Sequence, residues 1–233
     1  MTLPPIILAS ASPRRRDFIK LLQTPFRICA ADIDERNGEN ERPRDLVARL
    51  SRAKAVAVAA RHPQAIVIGA DTVVALGGDI MGKPAGAADA ANMLVRLRDR
   101  AHHVYSGIAI CSMARGLSLA ATVDSQVWMR PYSDGEIDAY IDSGDPLDKA
   151  GAYGIQNAAF HPVARLRGCY AGVMGLPLCH LAALLRQAGV DISVNVRAAC
   201  ESSTGVACVW APDERGGPNI QSMEIAFDEQ NIA

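Results

Sequence analysis

The sequence predicts an α/β fold on a mixed sheet flanked by helices. Apolar runs of strand length alternate with amphipathic helical stretches along the chain. One run, residues 65–70 (AIVIGA), is apolar throughout, as strands buried on both faces are. Residues 103–111 and 117–128 read as a long antiparallel pair turned at Ala114-Arg115-Gly116, which makes the sheet mixed.

The elements follow in order. Residues 5–9 (PIILA) form a short buried strand, and Ser10-Ala11-Ser12 a loop. Pro13 opens a helix to about Leu22, with Phe18, Leu21 and Leu22 inward. Residues 26–30 are a second strand, and residues 32–42 a charged loop. Residues 45–61 form a long helix with Leu46, Leu50, Ala53 and Ala57 on one stripe. The apolar strand over 65–70 ends directly before Asp71 and Thr72. Gly77-Gly78-Asp79 makes a hairpin turn, and residues 87–98 are helical. Ser133 caps a helix and Glu136 completes a capping box. Residues 145–156 are irregular and Gly-rich. The last clear helix covers 176–187 and is closed by Gly189. The expected domain spans residues 1–195. Residues 196–233 have no sustained period and read as a loosely packed or disordered extension, with one short strand at 206–210.

Composition narrows the function classes. The 233 residues suffice to bury a core without a disulfide or metal staple. Hydrophobic residues at 49% and charged residues at 21% exclude global disorder. Lys+Arg 24 against Asp+Glu 25 gives a net charge of −1, which argues against a long nucleic-acid partner. A compact nucleotide needs only a local basic cluster. Aromatics at 5% argue against base-stacking platforms. None of the six cysteines forms a C-x-x-C, so reduced thiols in a cytoplasmic protein are expected rather than zinc ligands or a disulfide framework. No apolar run approaches the ~18 residues of a membrane span. The apolar N-terminus ends Ala9-Ser10-Ala11 like a cleavage site, but no basic residue precedes it and two prolines interrupt it, so an export signal is rejected.

Four places concentrate chemistry. In Ser10-Ala11-Ser12-Pro13-Arg14-Arg15-Arg16, a strand turns through hydroxyls into a helix N-terminus, with Ser12 as N-cap. Free N–H groups there attract anions. Arginines in a first turn oppose the helix dipole, so a polyanion explains them better than helix energetics does. Read alone, the segment is equally a solvated basic turn. Asp71 stands straight after a buried run, where ligands of α/β sheets collect. It suits a metal ligand, a general base or both, although an Asp ending a strand is, read alone, more often a turn cap. A phosphoaspartyl role is disfavoured because no D-x-D follows. Lys54 and the Lys83 of Gly82-Lys83-Pro84 are point charges suited to phosphate or to solvent. The stretch over 145–156 (DPLDKAGAYGIQ) offers Gln156, whose amide pairs with a base edge through donor and acceptor.

Taken in order, LASASPRR, Asp34-Glu35, RLSRAK, GADTVV, GKP, Ser106-Gly107, DPLDKAGAYGIQ and VMGLPL make a recognisable set. The sequence resembles the Maf family of nucleoside triphosphate pyrophosphatases over roughly residues 3–189. The resemblance implies a long curved mixed sheet and two lobes around a cleft, like inosine triphosphate pyrophosphatase. It implies hydrolysis of a nucleoside triphosphate to monophosphate and pyrophosphate with Mg²⁺ or Mn²⁺. Asp71 matches the proton acceptor, with Asp71 and Glu35 as metal ligands. Lys54 and Lys83 match further polar positions, and Ser10, Arg14 and Arg15 the phosphate-side loop. Arg14, Thr72 and Gln156 match the dTTP/UTP group, whereas a 7-methyl-GTP group carries Trp, Gln and Glu there. A homodimer is also implied. Asn157 stands where the family usually has Gly, and residues 158–162 replace a Gly-rich segment, so altered base preference is expected. The alternatives are a modified purine substrate or a non-catalytic nucleotide-binding regulator of septum formation.

Overall fold

The computed structural model of the chain describes residues 4–208. The expected α/β architecture is present as one seven-stranded mixed sheet with helices against it. The strands are β1 (Ile6–Leu8), β2 (Arg27–Ile28), β3 (Ile66–Leu76), β4 (Asp79–Met81), β5 (Ala101–Ser112), β6 (Leu117–Met129) and β7 (Val163–Arg167). The helices are α1 (Pro13–Lys20), α2 (Pro43–Arg61), α3 (Ala87–Leu97), α4 (Asp134–Asp142), α5 (Tyr170–Val173), α6 (Leu178–Gln187) and α7 (Val196–Thr204). None of them is long and apolar enough to cross a membrane. The strand order is β2-β1-β3-β5-β6-β7, with β4 also on β3. β1 pairs in parallel with β2 and β3, and the remaining pairings are antiparallel.

β3 organises the site. Nine of its 11 residues, Val67 to Ala75, pair along one edge with β5. On the other edge, β1 covers Ile66 to Ile68 and β4 covers Val74 to Leu76. Between these partners the edge is left open. Asp71 and Thr72 were expected just beyond a strand ending at Ala70, but they lie inside β3. The run continues through Asp71 because β5 pairs it with Gly107 and Thr72 with Ser106. The switch point is thus set by β1 ending, with Ala9 N donating to Ile68 O at 2.7 Å before the chain turns into α1.

Strand alternation sends odd and even residues of β3 to opposite faces. On the odd face Gly69 lies under α2, where an added Cβ would stand 2.0 Å from Ser51 O. Gly107 is similarly tight against Val47 O, at 2.2 Å. These glycines let the α2 backbone lie on the sheet. The buried stripe of α2 is accordingly Leu46, Val47, Leu50, Ser51, Lys54, Ala55, Val58 and Ala59. The expected stripe holds at Leu46 and Leu50. Ala53 and Ala57 are only half-buried, because the helix turns Ser51 and Ala55 onto Gly69.

Several apolar clusters flank the sheet. One joins β1, α1, α6 and the even side of β3 through Leu8, Ile19, Ile68 and Leu181. Another joins α3, α4 and the segment after it through Leu94, Ile137, Tyr140 and Tyr153. Three elements were not read from sequence: β7, the four-residue α5 and α7. β7 carries only five residues with three arginine-or-alanine exposed positions, so its pattern is weak. α7 occupies the start of the segment expected to be irregular. Asn195 caps it through Ala198 N, and Val196 and Cys200 enter the first cluster. The strand expected over 206–210 is absent at Val206 to Cys208, and its last two positions lie outside the described residues.

Candidate active site

The open edge of β3 forms the floor of a cavity of about 570 Å³. Its walls come from the Ser10-to-Arg15 turn, the start of α2, the β4 hairpin and the segment from Asp148 to Gln156. Ser10, Arg14, Arg15, Glu35, Lys54, Asp71, Thr72, Lys83 and Gln156 all line it. Nine positions singled out from distant stretches of sequence therefore meet in one place.

The odd face of the floor is acidic and cationic at once. Lys54 comes off the buried stripe of α2 and donates to Asp71 Oδ1 at 2.6 Å. Its Nζ also lies 3.0 Å from Glu35 Oε1. The Lys54 and Asp71 side chains are each 9% exposed, so the pair is removed from water. A buried pair of this kind is held by partners rather than by solvent, and removing one partner costs several kcal/mol, ~3–5. One ammonium therefore sets the position of both carboxylates.

The even face holds a hydroxyl and guanidinium network. Thr72 Oγ1 is 2.9 Å from Ser106 Oγ, which donates to Gly172 O at 2.6 Å. Arg15 donates to Thr72 Oγ1 at 3.2 Å, Ser10 Oγ at 3.3 Å and Gly175 O at 2.9 Å. Burial lowers the Arg15 pKa, and the nearby Asp71 charge opposes that. The Arg15 side chain thus braces the turn against the floor. Ser12 caps α1 as expected, accepting from Arg15 N, and Pro13 takes the first helical position.

Arg14 points the other way, to the rim. Its Nη1 is 3.0 Å from Asp148 Oδ2. Asp148 also accepts from Lys149 Nζ at 2.7 Å, and Lys149 donates to Asp145 Oδ1 at 2.8 Å. The Asp148 carboxyl stays below its ordinary pKa. Partial burial pushes it up, but the Lys149 bond and the Arg14 charge outweigh that. Lys83 and Gln156 are exposed at the rim. Gln156 folds back over Gly154, where a Cβ would stand 2.9 Å from its Nε2.

Sequence reasoning missed three parts. Asp148 and Lys149 were noted only as members of a polar stretch. The ion pair with Arg14 spans 134 positions and has no local signature. Tyr153 lines the cavity from a buried position, with its hydroxyl 2.7 Å from His102 Nε2. The altered segment after Gln156 was expected to border the base pocket, yet residues 157–162 do not line the cavity. Asn157 and Phe160 bond and pack beneath the surface instead. Asn157 Oδ1 accepts from Phe160 N at 2.8 Å, Asn157 Nδ2 donates to Asp145 at 3.1 Å, and Phe160 stacks on Tyr140.

Among the described residues, no group of three or more His, Cys, Asp or Glu side chains is arranged to hold a metal ion. The donor set does fit a hard divalent cation shared with a ligand. Asp71 and Glu35 are the two carboxylates that meet Lys54 Nζ, and Mg²⁺ takes one or two carboxylates together with phosphate oxygens and waters.

Comparison with known proteins agrees with the motif order. A family model described as Maf-like protein matches residues 5–188. A dTTP/UTP pyrophosphatase of Geobacter sulfurreducens is 45% identical over 184 residues, covering 79% of this chain and 96% of the relative. A dTTP/UTP pyrophosphatase of Myxococcus xanthus is 46% identical over 187 residues, covering 80% of this chain and 94% of the relative. One of Hahella chejuensis, with the same designation, is 46% identical over 190 residues, covering 80% and 94%.

Proposed function

The chain belongs to the Maf-like protein family, and on that premise we propose that it hydrolyses nucleoside triphosphates, dTTP and UTP foremost, to the monophosphate and pyrophosphate. The observation that carries the reading is the Asp71–Lys54–Glu35 cluster on the floor of a cavity rimmed by Arg14, Lys83 and Gln156. A carboxylate that takes a proton from water faces cations that hold a polyphosphate.

A water oxygen forms a bond to the α-phosphorus as the α–β bridging bond breaks. Its proton passes to the Asp71 carboxylate, and pyrophosphate leaves with the bridging oxygen. Lys54 holds Asp71 in place where both line the cavity. Arg15 and Ser10 hold the turn whose N–H groups and Arg14 meet the phosphates. Thr72, fixed by Arg15 and Ser106, sets the wall beside them. Gln156 offers an amide to the base. A bound Mg²⁺ or Mn²⁺, held by Asp71 and Glu35, supplies charge neutralisation and a more acidic water.

We place the protein in the cytoplasm, a reading supported by six cysteines without a C-x-x-C pattern and by the nucleotide substrate. A homodimer is part of the same proposal. The test is a panel of dTTP, UTP, 7-methyl-GTP and canonical purine triphosphates with pyrophosphate detection, run with Mg²⁺ and with Mn²⁺. Release of pyrophosphate from dTTP and UTP is expected. Asp71→Asn abolishes turnover while the protein still melts cooperatively and binds UTP. Full activity in that variant removes Asp71 from the reaction. Binding without any product identifies a nucleotide-binding regulator instead.

A further inference from the structure

Arg14 and Asp148 stand on opposite walls of the cavity. Arg14 rides on α1, whose Phe18 and Ile19 belong to the cluster around β1 and α6. Asp148 follows α4, whose Ile137 and Tyr140 belong to the cluster around α3. Their ion pair therefore joins two separately packed walls across the mouth. Arg14 Nη1 reaches both carboxylate oxygens, at 3.0 and 3.3 Å, and Nη2 reaches the Asp148 carbonyl at 3.4 Å.

The two ends of the pair differ. Asp148 is anchored, because the buried Lys149 bonds it and is itself held by Asp145. Arg14 is a long side chain with no second acidic partner among the described contacts. The Arg14 and Asp148 side chains are 26% and 58% exposed. A pair this open to water is weak. A guanidinium takes carboxylate and phosphate in the same forked geometry, and a polyphosphate carries more charge than one carboxylate.

We propose that Asp148 is a positioning residue whose carboxylate holds the place of a phosphate. It parks Arg14 at the cavity mouth until the substrate's phosphate chain takes the guanidinium over, and it receives Arg14 again as pyrophosphate leaves. This rests on the pyrophosphatase reading of the site. Because Asp148 competes for Arg14, it weakens binding of substrate and of pyrophosphate alike and hastens product release.

Steady-state kinetics with UTP and inhibition by added pyrophosphate test this. Asp148→Asn lowers both KM and the pyrophosphate inhibition constant by about two- to fivefold without raising kcat. Asp148→Glu restores the parental values. On an Arg14→Ala background, Asp148→Asn shifts neither constant. A rise in KM for Asp148→Asn overturns the proposal, since Asp148 would then hold Arg14 in its working place. An equal fall on the Arg14→Ala background also overturns it, because loss of a negative charge alone would explain the effect. Unchanged UTP turnover in Arg14→Ala strikes at the site reading itself rather than at Asp148.

Discussion

Lys54 shows how one side chain decides what a site can do. Its place on the buried stripe of α2 follows from Gly69 and Gly107, which let that helix lie close to the sheet. Once there, it needs acidic partners, and Asp71 and Glu35 supply them. The individual residues were legible because each sits in a short motif: Ser10, Arg14 and Arg15 in one, Asp71 and Thr72 in another, Gln156 in a third. Their pairings were not, since Lys54 could equally have been a solvated charge and nothing near Arg14 in sequence announces Asp148. Gln156 carries a prediction of its own. Its amide both donates and accepts, whereas a carboxylate only accepts. Gln156→Glu is expected to reduce the preference for UTP and dTTP over 7-methyl-GTP by roughly tenfold or more, the scale of one lost hydrogen bond to a base. Relative rates on the three nucleotides check this, and an unchanged ratio removes Gln156 from base selection.

At the scale of elements, β3 and its two partial neighbours create the cavity. The apolar run over residues 65–70 was legible because its length is a strand's rather than a helix's and because Ile66, Val67 and Ile68 are β-branched. Its true end at Leu76 was not, because Asp71 interrupts the apolar pattern, and only pairing with β5 shows that the strand continues. The capping box at Ser133 was legible for the opposite reason: it is a local device, complete within four residues. α2 on β3 gives a sharp test. Gly69→Ala would place a Cβ 2.0 Å from Ser51 O and 2.7 Å from Ala55 N, both backbone atoms. The helix must move, taking Lys54 with it. We expect a loss of about 3 kcal/mol in urea unfolding, at the upper end of overpacking effects, together with loss of activity. Gly135→Ala in the first turn of α4 serves as the control, since nothing lies within 4 Å of its added Cβ and the change is expected to be neutral or to stabilise by less than the ~0.5–1 kcal/mol of a mid-helix glycine. Equal stability of the two variants would mean that α2 does not rest on Gly69.

Across the whole molecule, separate clusters share one sheet, and the alternation of strands and helices announced that architecture. α7 was hidden because its nine residues mix Arg, Ala, Cys, Glu, Ser and Thr, and only packing of Val196 and Cys200 reveals its buried side. Stability as a function of pH is a property of the entire fold, and here two histidines shape it. His102 lies on β5 in contact with Tyr153, and burial pushes its pKa down to about 4 from 6.5. His180 in α6 is pushed down to about 4 by burial as well. The folded state keeps both neutral, whereas the unfolded chain protonates them below about pH 6.5. Protons therefore favour the unfolded state as pH falls, so this part of the stability is complete above the unfolded value and is lost progressively towards pH 4. The depressed carboxyls of Asp145 and Asp148 act in the same direction but at lower pH, below the ordinary carboxylate value. Each histidine accounts for roughly 3 kcal/mol at full shift. The urea midpoint is thus expected to fall steadily from pH 7 to pH 4.5, where the carboxylates still contribute little. His102→Gln should be less stable at pH 7, having lost the Tyr153 contact, yet show about half the slope. A parental midpoint that stays level across that window would show that His102 and His180 bind protons as readily in the folded chain as in the unfolded one.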